Sequence, residues 1–312
     1  RLDPRQFGLN SIYNQKLNDK LNLSIGLNID RYTSFNYKLM DDLLGGDFWI
    51  DVDQFAEQDF EDQTIAQNDL LNTNNIITAG DRFGYDYNIH VNKSSLFTQL
   101  EGKFKKMDFF IGITGSNTNF YRVGNMQNGR FPDNSLGKSK KTNFSNFGAK
   151  LGVLYKVTGR HFLSLNGMYE TEAPFVRNAY VSPRTRDQLV PNLESTISLG
   201  TDLTYNVRYP NFRAKISAFY SQVNNQTWAR SFYHDEYRTF VNYMMTNVDQ
   251  LFTGIEIGLE KIIASSWQLN GAFTVGDYLY NSRPLATITR DNSQEIVAED
   301  KTIFLKNYKI EE

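Results

Sequence analysis

Tight turns recur along this chain, each between two segments in which apolar and polar residues alternate. The last four turns are about 50 residues apart, a spacing that suggests a repeating supersecondary unit. Long polar segments separate one hairpin from the next. Tight turns at one end and long loops at the other are typical of a sheet that crosses an outer membrane repeatedly. The turns are predicted at Asn18–Lys20, Lys105–Met107, Thr158–Arg160, Tyr209–Asn211 and Ala264–Ser266.

The alternation is clearest around the fourth turn. Before it, Leu199, Leu203 and Tyr205 alternate with serine, glycine, aspartate and threonine; after it, Ile216 and Tyr220 alternate with arginine, lysine and serine. Successive side chains of a strand point to opposite faces, so one face is apolar and the other polar. About eleven such strands are predicted, which gives an all-β, antiparallel up-and-down transmembrane β-barrel as the expected fold class.

Composition restricts the alternatives. Hydrophobic residues make up 40% of the 312 residues, without the long apolar run that a transmembrane helix requires. The net charge of −2 gives no basic footprint for nucleic acid, and the absence of cysteine excludes a disulfide scaffold. The three histidines, His90, His161 and His234, show no catalytic or metal-binding spacing. We therefore expect no enzyme activity, no catalytic residues, no bound metal and no cofactor.

A soluble β-sandwich also alternates, and it is the main structural alternative. Its strands usually have about 5–6 residues, whereas several alternating runs here reach about 10, enough to cross a hydrocarbon layer at a tilt. A sandwich also has no reason to segregate short turns from long loops. Aromatic residues near strand ends suit an interfacial belt: Tyr155, Phe162, Tyr169, Tyr205, Tyr220 and Trp267.

Several short segments resemble the barrel of TonB-dependent outer-membrane receptors, especially those of Bacteroidetes. One is similar to a strand exit in which Ala-Pro and an aromatic residue stand at the base of an external loop. Another is similar to an Asn-Leu-x-Pro-Glu segment leading into Glu-Leu-Gly, although Pro191 precedes Asn192 and Ser198 stands where the family often has Glu. A third resembles a Gly-Ile-Glu strand entry, and the last a late barrel loop. The segments are Tyr169–Phe175, Asn192–Gly200, Asp249–Glu256 and Thr302–Ile310.

The resemblance implies active import of a bulky nutrient, such as a siderophore, corrinoid, oligosaccharide or peptide, across the outer membrane of a Gram-negative bacterium. It implies a plugged barrel of about 22 strands. We expect residues 1–312 to be a single barrel-domain fragment with about 10–12 of those strands, without the N-terminal plug and with a long external loop at about residues 38–84. The implied partners are the TonB energy-transducing complex acting through the plug, lipid and lipopolysaccharide, and a surface lipoprotein. A passive porin or structural barrel without energy coupling is the alternative function, and a soluble glycan-binding sandwich is a third.

The long loop is unusually acidic. Nine carboxylates lie within 22 residues that contain no lysine or arginine. This density suits Ca²⁺, but the spacing lacks an Asp-x-Asp-x-Asp-Gly loop, so a solvated loop is the alternative. The apolar residues of the loop suggest a lid over the pore mouth or a contact with a lipoprotein. The acidic residues are Asp41, Asp42, Asp47, Asp51, Asp53, Glu57, Asp59, Glu61 and Asp62.

Candidate ligand contacts lie in an aromatic segment, residues 224–243, and on the preceding loop. Flat rings beside hydrogen-bonding groups suit sugars, aryl groups or siderophores. The alternative is a strand pair extending above the membrane, with its rings packing on each other. The predicted ligand-binding residues are Trp228, Arg230, Phe232, Tyr233, Tyr237, Arg177, Tyr180 and Arg184, with Arg186 nearby. The predicted lumen-facing charges are Lys150, Lys156, Asp202, Arg213, Lys215, Glu256 and Glu260.

Overall fold

The computed structural model describes residues 1–264, 267–293 and 295–310. Within these residues the chain is almost entirely β, apart from one short α-helix, α1 (Gln54–Asp59), and a 3₁₀ turn at Val176–Asn178. The strands are β1 (Leu2–Lys16), β2 (Leu21–Leu39), β3 (Trp49–Ile50), β4 (Ile76–Ile77), β5 (Arg82–Lys103), β6 (Met107–Gly124), β7 (Gly137–Lys138), β8 (Thr142–Lys156), β9 (His161–Glu172), β10 (Thr196–Tyr209), β11 (Phe212–His234), β12 (Thr239–Ala264), β13 (Trp267–Tyr280), β14 (Leu285–Arg290) and β15 (Ile296–Thr302).

One antiparallel sheet contains all of these strands except β3 and β4, which pair with each other. Its main path is β1-β2-β5-β6-β8-β9-β10-β11-β12-β14-β15, so each strand pairs with the next long strand along the chain. Residues 250–264 of β12 pair with β13, and residues 241–246 of β12 pair with β14. β13 and β14 therefore occupy one position in the sheet, as an interrupted strand. This up-and-down order of eleven positions confirms the predicted fold class and strand count.

The connections are segregated as the sequence predicts. Tight turns at residues 17–20, 104–106, 157–160 and 210–211 lie at one end of the sheet, the turn end. The fifth predicted turn, Ala264–Ser266, includes residues 265 and 266, which lie outside the described residues. At the opposite loop end are loop A (residues 40–81), loop B (residues 125–141) and loop C (residues 173–195), together with short connections at 235–238 and 291–293.

The sheet has one apolar and one polar face. Leu151, Leu199 and Ile216 are 48%, 41% and 47% exposed and lie on the same face, the apolar face. The predicted belt residues Tyr155, Tyr169, Tyr205, Tyr220 and Trp267 share that face. The prediction for Phe162 is wrong: it lies between outward-facing His161 and Leu163 and pairs with Asn206, so it lies on the polar face.

Oppositely charged residues pair across neighbouring strands on the polar face. Lys156 lies 2.6 Å from Asp108, and Lys150 lies 3.0 Å from Glu170. Such partly exposed pairs are each worth at most about 1 kcal/mol. The predicted lumen-facing residues, Lys150, Lys156, Asp202, Arg213, Lys215, Glu256 and Glu260, all alternate with the apolar face and therefore lie here.

Two irregularities in the β11–β12 pair compensate each other. β11 has an extra residue near Asn225, and β12 has one near Asn247, so the register is the same before and after them. Both asparagines have positive φ values, 59° and 58°, in the left-handed region that asparagine tolerates better than most residues. The strand pair can therefore bend at this level and still continue to the loop end. In the described part of the chain, no helix is long and apolar enough to cross a membrane.

Candidate functional site

Backbone hydrogen bonds join loops A and B at the loop end. The Leu70 amide donates to the Gln127 carbonyl at 2.7 Å, and the Gly129 amide donates to the Gln67 carbonyl at 2.8 Å. A Cβ atom at position 129 would lie 2.1 Å from the Thr64 carbonyl oxygen, so only glycine permits this approach. The two loops therefore form one packed unit rather than two independent excursions.

Arg122, at the end of β6, joins loops B and C. Its side chain is buried and donates to the Ser135 carbonyl at 2.6 Å and to the Pro183 carbonyl at 2.7 Å. Tyr180 of loop C is 1% exposed and packs edge-on against Phe120 of β6, with ring centroids 6.0 Å apart. Loop C is therefore fixed to the sheet by a buried cation and a buried aromatic cluster.

Two buried arginines connect all three loops to the β14–β15 turn. Arg130 of loop B lies 2.9 Å from Asp53 of loop A and 3.7 Å from Asp291, and it also donates to Asn292 at 2.5 Å. Arg186 of loop C lies 3.6 Å from Asp291. The side chains of Arg130 and Arg186 are only 5% and 0% exposed. Removing any one of these charges would leave its partners poorly compensated in a low-dielectric environment.

Arg186 carries its charge against the effect of burial. Burial lowers the pKa of Arg186 to about 10, and the Asp291 carboxylate opposes that effect. The guanidinium therefore remains protonated at neutral pH. Its centre lies 4.3 Å from the centroid of the Phe131 ring, a cation–π contact that further stabilises the charge. We call Asp53, Arg130, Arg186 and Asp291 the loop-end ion cluster.

A cleft of about 630 Å³ lies beside this cluster, between loops A and C and the upper parts of β5, β11 and β12. The acidic residues that line it in the described part of the chain, Asp53 and Asp291, are both paired with Arg130. Four further cations lie on its wall without belonging to the ion cluster, so the cleft is electropositive. They are Lys38, Arg177, Arg184 and Arg230.

Aromatic rings support those cations and provide flat contact surfaces. The Lys38 ammonium lies 5.4 Å from the Phe83 ring centroid, and the Arg184 guanidinium lies 5.4 Å from that of Tyr85. This combination of flat apolar surface and convergent polar groups is what small-molecule sites require. The aromatic residues lining the cleft are Trp49, Phe55, Phe83, Tyr85, Tyr87 and Phe240.

The predicted ligand-binding residues divide into three groups. Arg177, Arg184 and Arg230 line the cleft, and Arg230 also donates to Asn178 at 3.2 Å. Tyr180 of loop C is buried against β6, beside the cleft rather than on its wall. The remaining aromatics pack mainly on neighbouring rings, as the alternative interpretation predicts: Trp228 on Tyr280, Phe232 on Tyr243 and His234, Tyr233 on Phe240, and Tyr237 on His234.

The carboxylates of the acidic loop are used separately. Asp53 accepts from the Phe55 and Ala56 amides and caps α1, while Asp62 accepts from Thr64. Asp51 accepts from both the Asn68 side chain and the Gly84 amide through the same oxygen, and its burial raises its pKa. Within the described residues no group of three metal-ligating side chains forms, so the calcium hypothesis has no site there.

Several residues of this site carry no recognisable signal in the sequence. Lys38, Phe55, Arg130 and Asp291 belong to four different segments with no recognisable motif. Arg130 follows the glycine that allows loops A and B to meet, but only the folded contact shows why that glycine is needed. The site is built by long-range packing of loops.

No protein-family model matches the sequence, and no curated protein gives a significant match. Among solved structures, the chain is similar to the copper transporter OprC, with a TM-score of 0.62 and 10% identity over 92% of this chain and 40% of that chain. The FrpB iron transporter from Neisseria meningitidis gives 0.59 and 11%, over 93% and 40% of the two chains. BauA, the ferric preacinetobactin receptor from Acinetobacter baumannii, gives 0.50 and 14%, over 92% and 40%.

The chain thus spans about 40% of the length of these solved structures. At such low identities the likeness concerns the fold. The eleven-position antiparallel sheet has the up-and-down arrangement of the β-barrels in these transport proteins.

Proposed function

We propose that the chain forms part of a TonB-dependent receptor in the outer membrane of a Gram-negative bacterium, which imports a bulky nutrient. The observation that carries the proposal is the sheet itself: one continuous apolar face, one polar face, tight turns at one end and a ligand-sized cleft among the long loops at the other. The likeness of the fold to outer-membrane receptors of this class supports the proposal.

The apolar face then contacts lipid, and the polar face lines the barrel interior. Backbone groups find no hydrogen-bond partners in lipid, so the complete sheet must be closed. The interior charges Lys150, Lys156 and Arg213 already have acidic partners on neighbouring strands. Asp202, Lys215 and Glu256 line a separate cleft of about 430 Å³ on this face. We assign that cleft to contacts with a plug, through which the TonB complex would act.

The nutrient binds in the loop-end cleft. Four cations on its wall lie outside the loop-end ion cluster, and six aromatic rings line it. Both features favour a ligand with negative charge and planar groups. The four cations are Lys38, Arg177, Arg184 and Arg230. A siderophore, a corrinoid or a peptide with acidic and aromatic groups meets that description, and an acidic oligosaccharide meets the requirement for charge. Trp228, Phe232, Tyr233 and Tyr237 support the cleft from the neighbouring strand pair, and Tyr180 supports it from beneath. The protein performs no chemistry on its cargo.

A surface lipoprotein is the second proposed partner. Loop A exposes large apolar side chains, with Leu44, Phe48 and Ile76 exposed by 93%, 53% and 61%. Contiguous exposed apolar groups mark interaction surfaces. A variant with serine at these three positions should lose co-purification with a surface lipoprotein, while the loop-end ion cluster remains intact. Unchanged co-purification, or none with the wild type, would remove this partner from the proposal.

The central test combines uptake with conductance. In cells that carry the full-length protein, replacing Arg184 and Arg230 with alanine should reduce uptake of the nutrient at least about tenfold, since each loses a charge-assisted contact. Disruption of TonB should abolish uptake by the wild type. A low conductance in planar bilayers is also expected. A large steady conductance with uptake independent of TonB would instead identify a passive porin.

A further inference from the structure

Cations lie over aromatic rings along the turn end of the sheet. The Lys20 ammonium lies 5.7 Å from the Phe104 ring centroid, and the Arg160 guanidinium lies 4.8 Å from that of Tyr209. Lys261 makes the same contact with Phe212 at 5.9 Å. In each case the cation and the ring belong to neighbouring hairpins. Among the described residues, the contact therefore joins three of the four pairs of neighbouring hairpins.

Backbone hydrogen bonds join these hairpins into a continuous rim. The carbonyl of Lys20 accepts from the Lys103 amide at 2.8 Å, and the carbonyl of Arg160 accepts from the Arg208 amide at 2.8 Å. The carbonyl of Lys106 likewise accepts from Lys156 at 2.8 Å. Each tight turn thus rests against the end of the next long strand. This support holds the rim cations at one level of the sheet.

At this level the acidic side chains lie on the polar face or in a turn, whereas the apolar face carries the cation Lys261. The acidic residues Asp108 and Glu260 lie on the polar face, where they pair with Lys156 and Arg213. Asp19, in a turn, pairs with Lys16 at 2.7 Å. Across the described residues, the cations of the apolar-face rim and its turns have no acidic partner within salt-bridge distance. These rim cations are Lys20, Lys105, Lys106, Arg160 and Lys261.

The rim also has the apolar and hydrogen-bonding groups that a membrane interface requires. Tyr205 and Tyr209 flank His161, with hydroxyl-to-ring-nitrogen distances of 2.7 and 3.3 Å. Leu163 and Leu203, further from the turn end on the same face, are 38% and 47% exposed. A molecule with an anionic head and apolar tails could therefore place its head at the cations and its tails along the sheet.

We propose that this rim binds the phosphate groups of anionic glycerophospholipids in the membrane leaflet that surrounds the tight turns. The inference rests on the proposed membrane location but not on the nutrient or on energy coupling. Charge complementarity identifies the occupant: the rim offers at least five cations and an adjacent apolar wall. The aromatic rings hold several of those cations in place before the lipid binds, which reduces the entropic cost of binding.

The test is lipid titration of the full-length protein in detergent, followed by native mass spectrometry. Phosphatidylglycerol and phosphatidylcholine with identical acyl chains are compared, because the first has a net negative charge and the second is zwitterionic. The rim variant replaces Lys20, Arg160 and Lys261 with glutamine. The matched control replaces the exposed lysines of loop B and its short strand with glutamine: Lys138, Lys140 and Lys141.

The wild type and the control should bind phosphatidylglycerol more tightly than phosphatidylcholine, and the rim variant should lose at least about fivefold of that preference. The preference should also fall as salt is raised. Equal affinity of the wild type for both lipids, or an equal loss in the control, would overturn the proposal. So would displacement of phosphatidylglycerol by equimolar inorganic phosphate, which would indicate a site for free phosphate.

Two further measurements separate this proposal from failure elsewhere. Heat-dependent mobility on gels shows whether the rim variant is folded. If the triple variant does not fold, the single Lys261→Gln variant replaces it, with a smaller expected loss of lipid preference. A protein that remains soluble and monomeric without detergent would refute the proposed function itself. If the protein proves to be a passive porin, the lipid preference should still be present, because it does not depend on energy coupling.

Discussion

Replacing Arg130 with methionine should release loop A from loop B. The substitution keeps an apolar stem against Phe131 and removes the charge between Asp53 and Asp291. Breaking a fully buried ion pair by removing one partner costs about 3–5 kcal/mol. The two carboxylates here are 19% and 17% exposed, and Arg186 still faces Asp291. We therefore expect a loss of about 2 kcal/mol in loop docking, or roughly 30-fold in its equilibrium constant.

Amide hydrogen exchange measures that change directly. The Leu70 and Gly129 amides donate across the A–B contact, so their exchange reports its opening. In Arg130→Met both should exchange about 30-fold faster than in the wild type. Amides in the middle of β9 should keep their rates, because the sheet does not depend on the loop-end ion cluster. Lys140→Met, an exposed change in the same loop, is the matched control.

A second substitution tests the physical cause. Asp53→Asn removes one of the two carboxylates left without Arg130 but keeps an oxygen that can cap α1. If unpaired charge causes the loss, Arg130→Met with Asp53→Asn should recover about half of it. Exchange rates within about threefold of the wild type in Arg130→Met would refute the view that the ion cluster holds the loops together. No recovery in the double variant would assign the loss to packing.

Three other outcomes follow from local geometry. Gly129→Ala should increase protease cleavage of loops A and B, because its Cβ would lie 2.1 Å from a backbone carbonyl oxygen. Asp51→Asn should slow amide exchange in loop A at neutral pH, because burial raises the pKa of Asp51 and makes its ionisation costly in the folded loop. This stabilisation by asparagine should disappear as the pH falls toward 3.8, where Asp51 of the wild type becomes protonated. Leu151→Arg should lower folding stability in vesicles by about 2–4 kcal/mol, as measured by urea titration. Lys150→Arg, on the polar face, should change it by no more than about 0.5 kcal/mol.

The sheet could be predicted from the sequence because its determinants are local. The alternation of Leu199, Leu203 and Tyr205 with polar residues defines both the strand and its two faces. The described tight turns fall where short polar interruptions predict them. The aromatic character of Phe162 suits an interfacial belt, but its place between His161 and Leu163 puts it on the polar face. Period-two alternation is therefore the stronger evidence for orientation.

The site could be predicted only in part, because its contacts connect distant segments. Arg130 and Asn292 are 162 residues apart, and Asn292 and Asp59 are 233 apart, yet both pairs form hydrogen bonds. No local spacing encodes such contacts. The prediction of Arg177, Arg184 and Arg230 depended on cations near aromatic residues, a signal that persists when exact neighbours are unknown. The acidic loop shows the same limit: its carboxylates are dense in the sequence, but that density does not indicate their separate partners.

A net charge of −2 conceals a strong separation of charge by position. Loop A concentrates carboxylates. Within the loop-end ion cluster, Asp53 of loop A pairs with Arg130, and Asp291 pairs with Arg186. Among the described residues, the turn-end rim carries cations without acidic partners on its apolar side, whereas Asp108 and Glu260 lie on the polar side and pair with cations there. Neither arrangement is needed to form the sheet, since strand pairing depends on the backbone and on alternation. Charge placement of this kind instead fits a sheet whose two ends meet different chemical environments, a ligand at the loops and anionic headgroups at the turns.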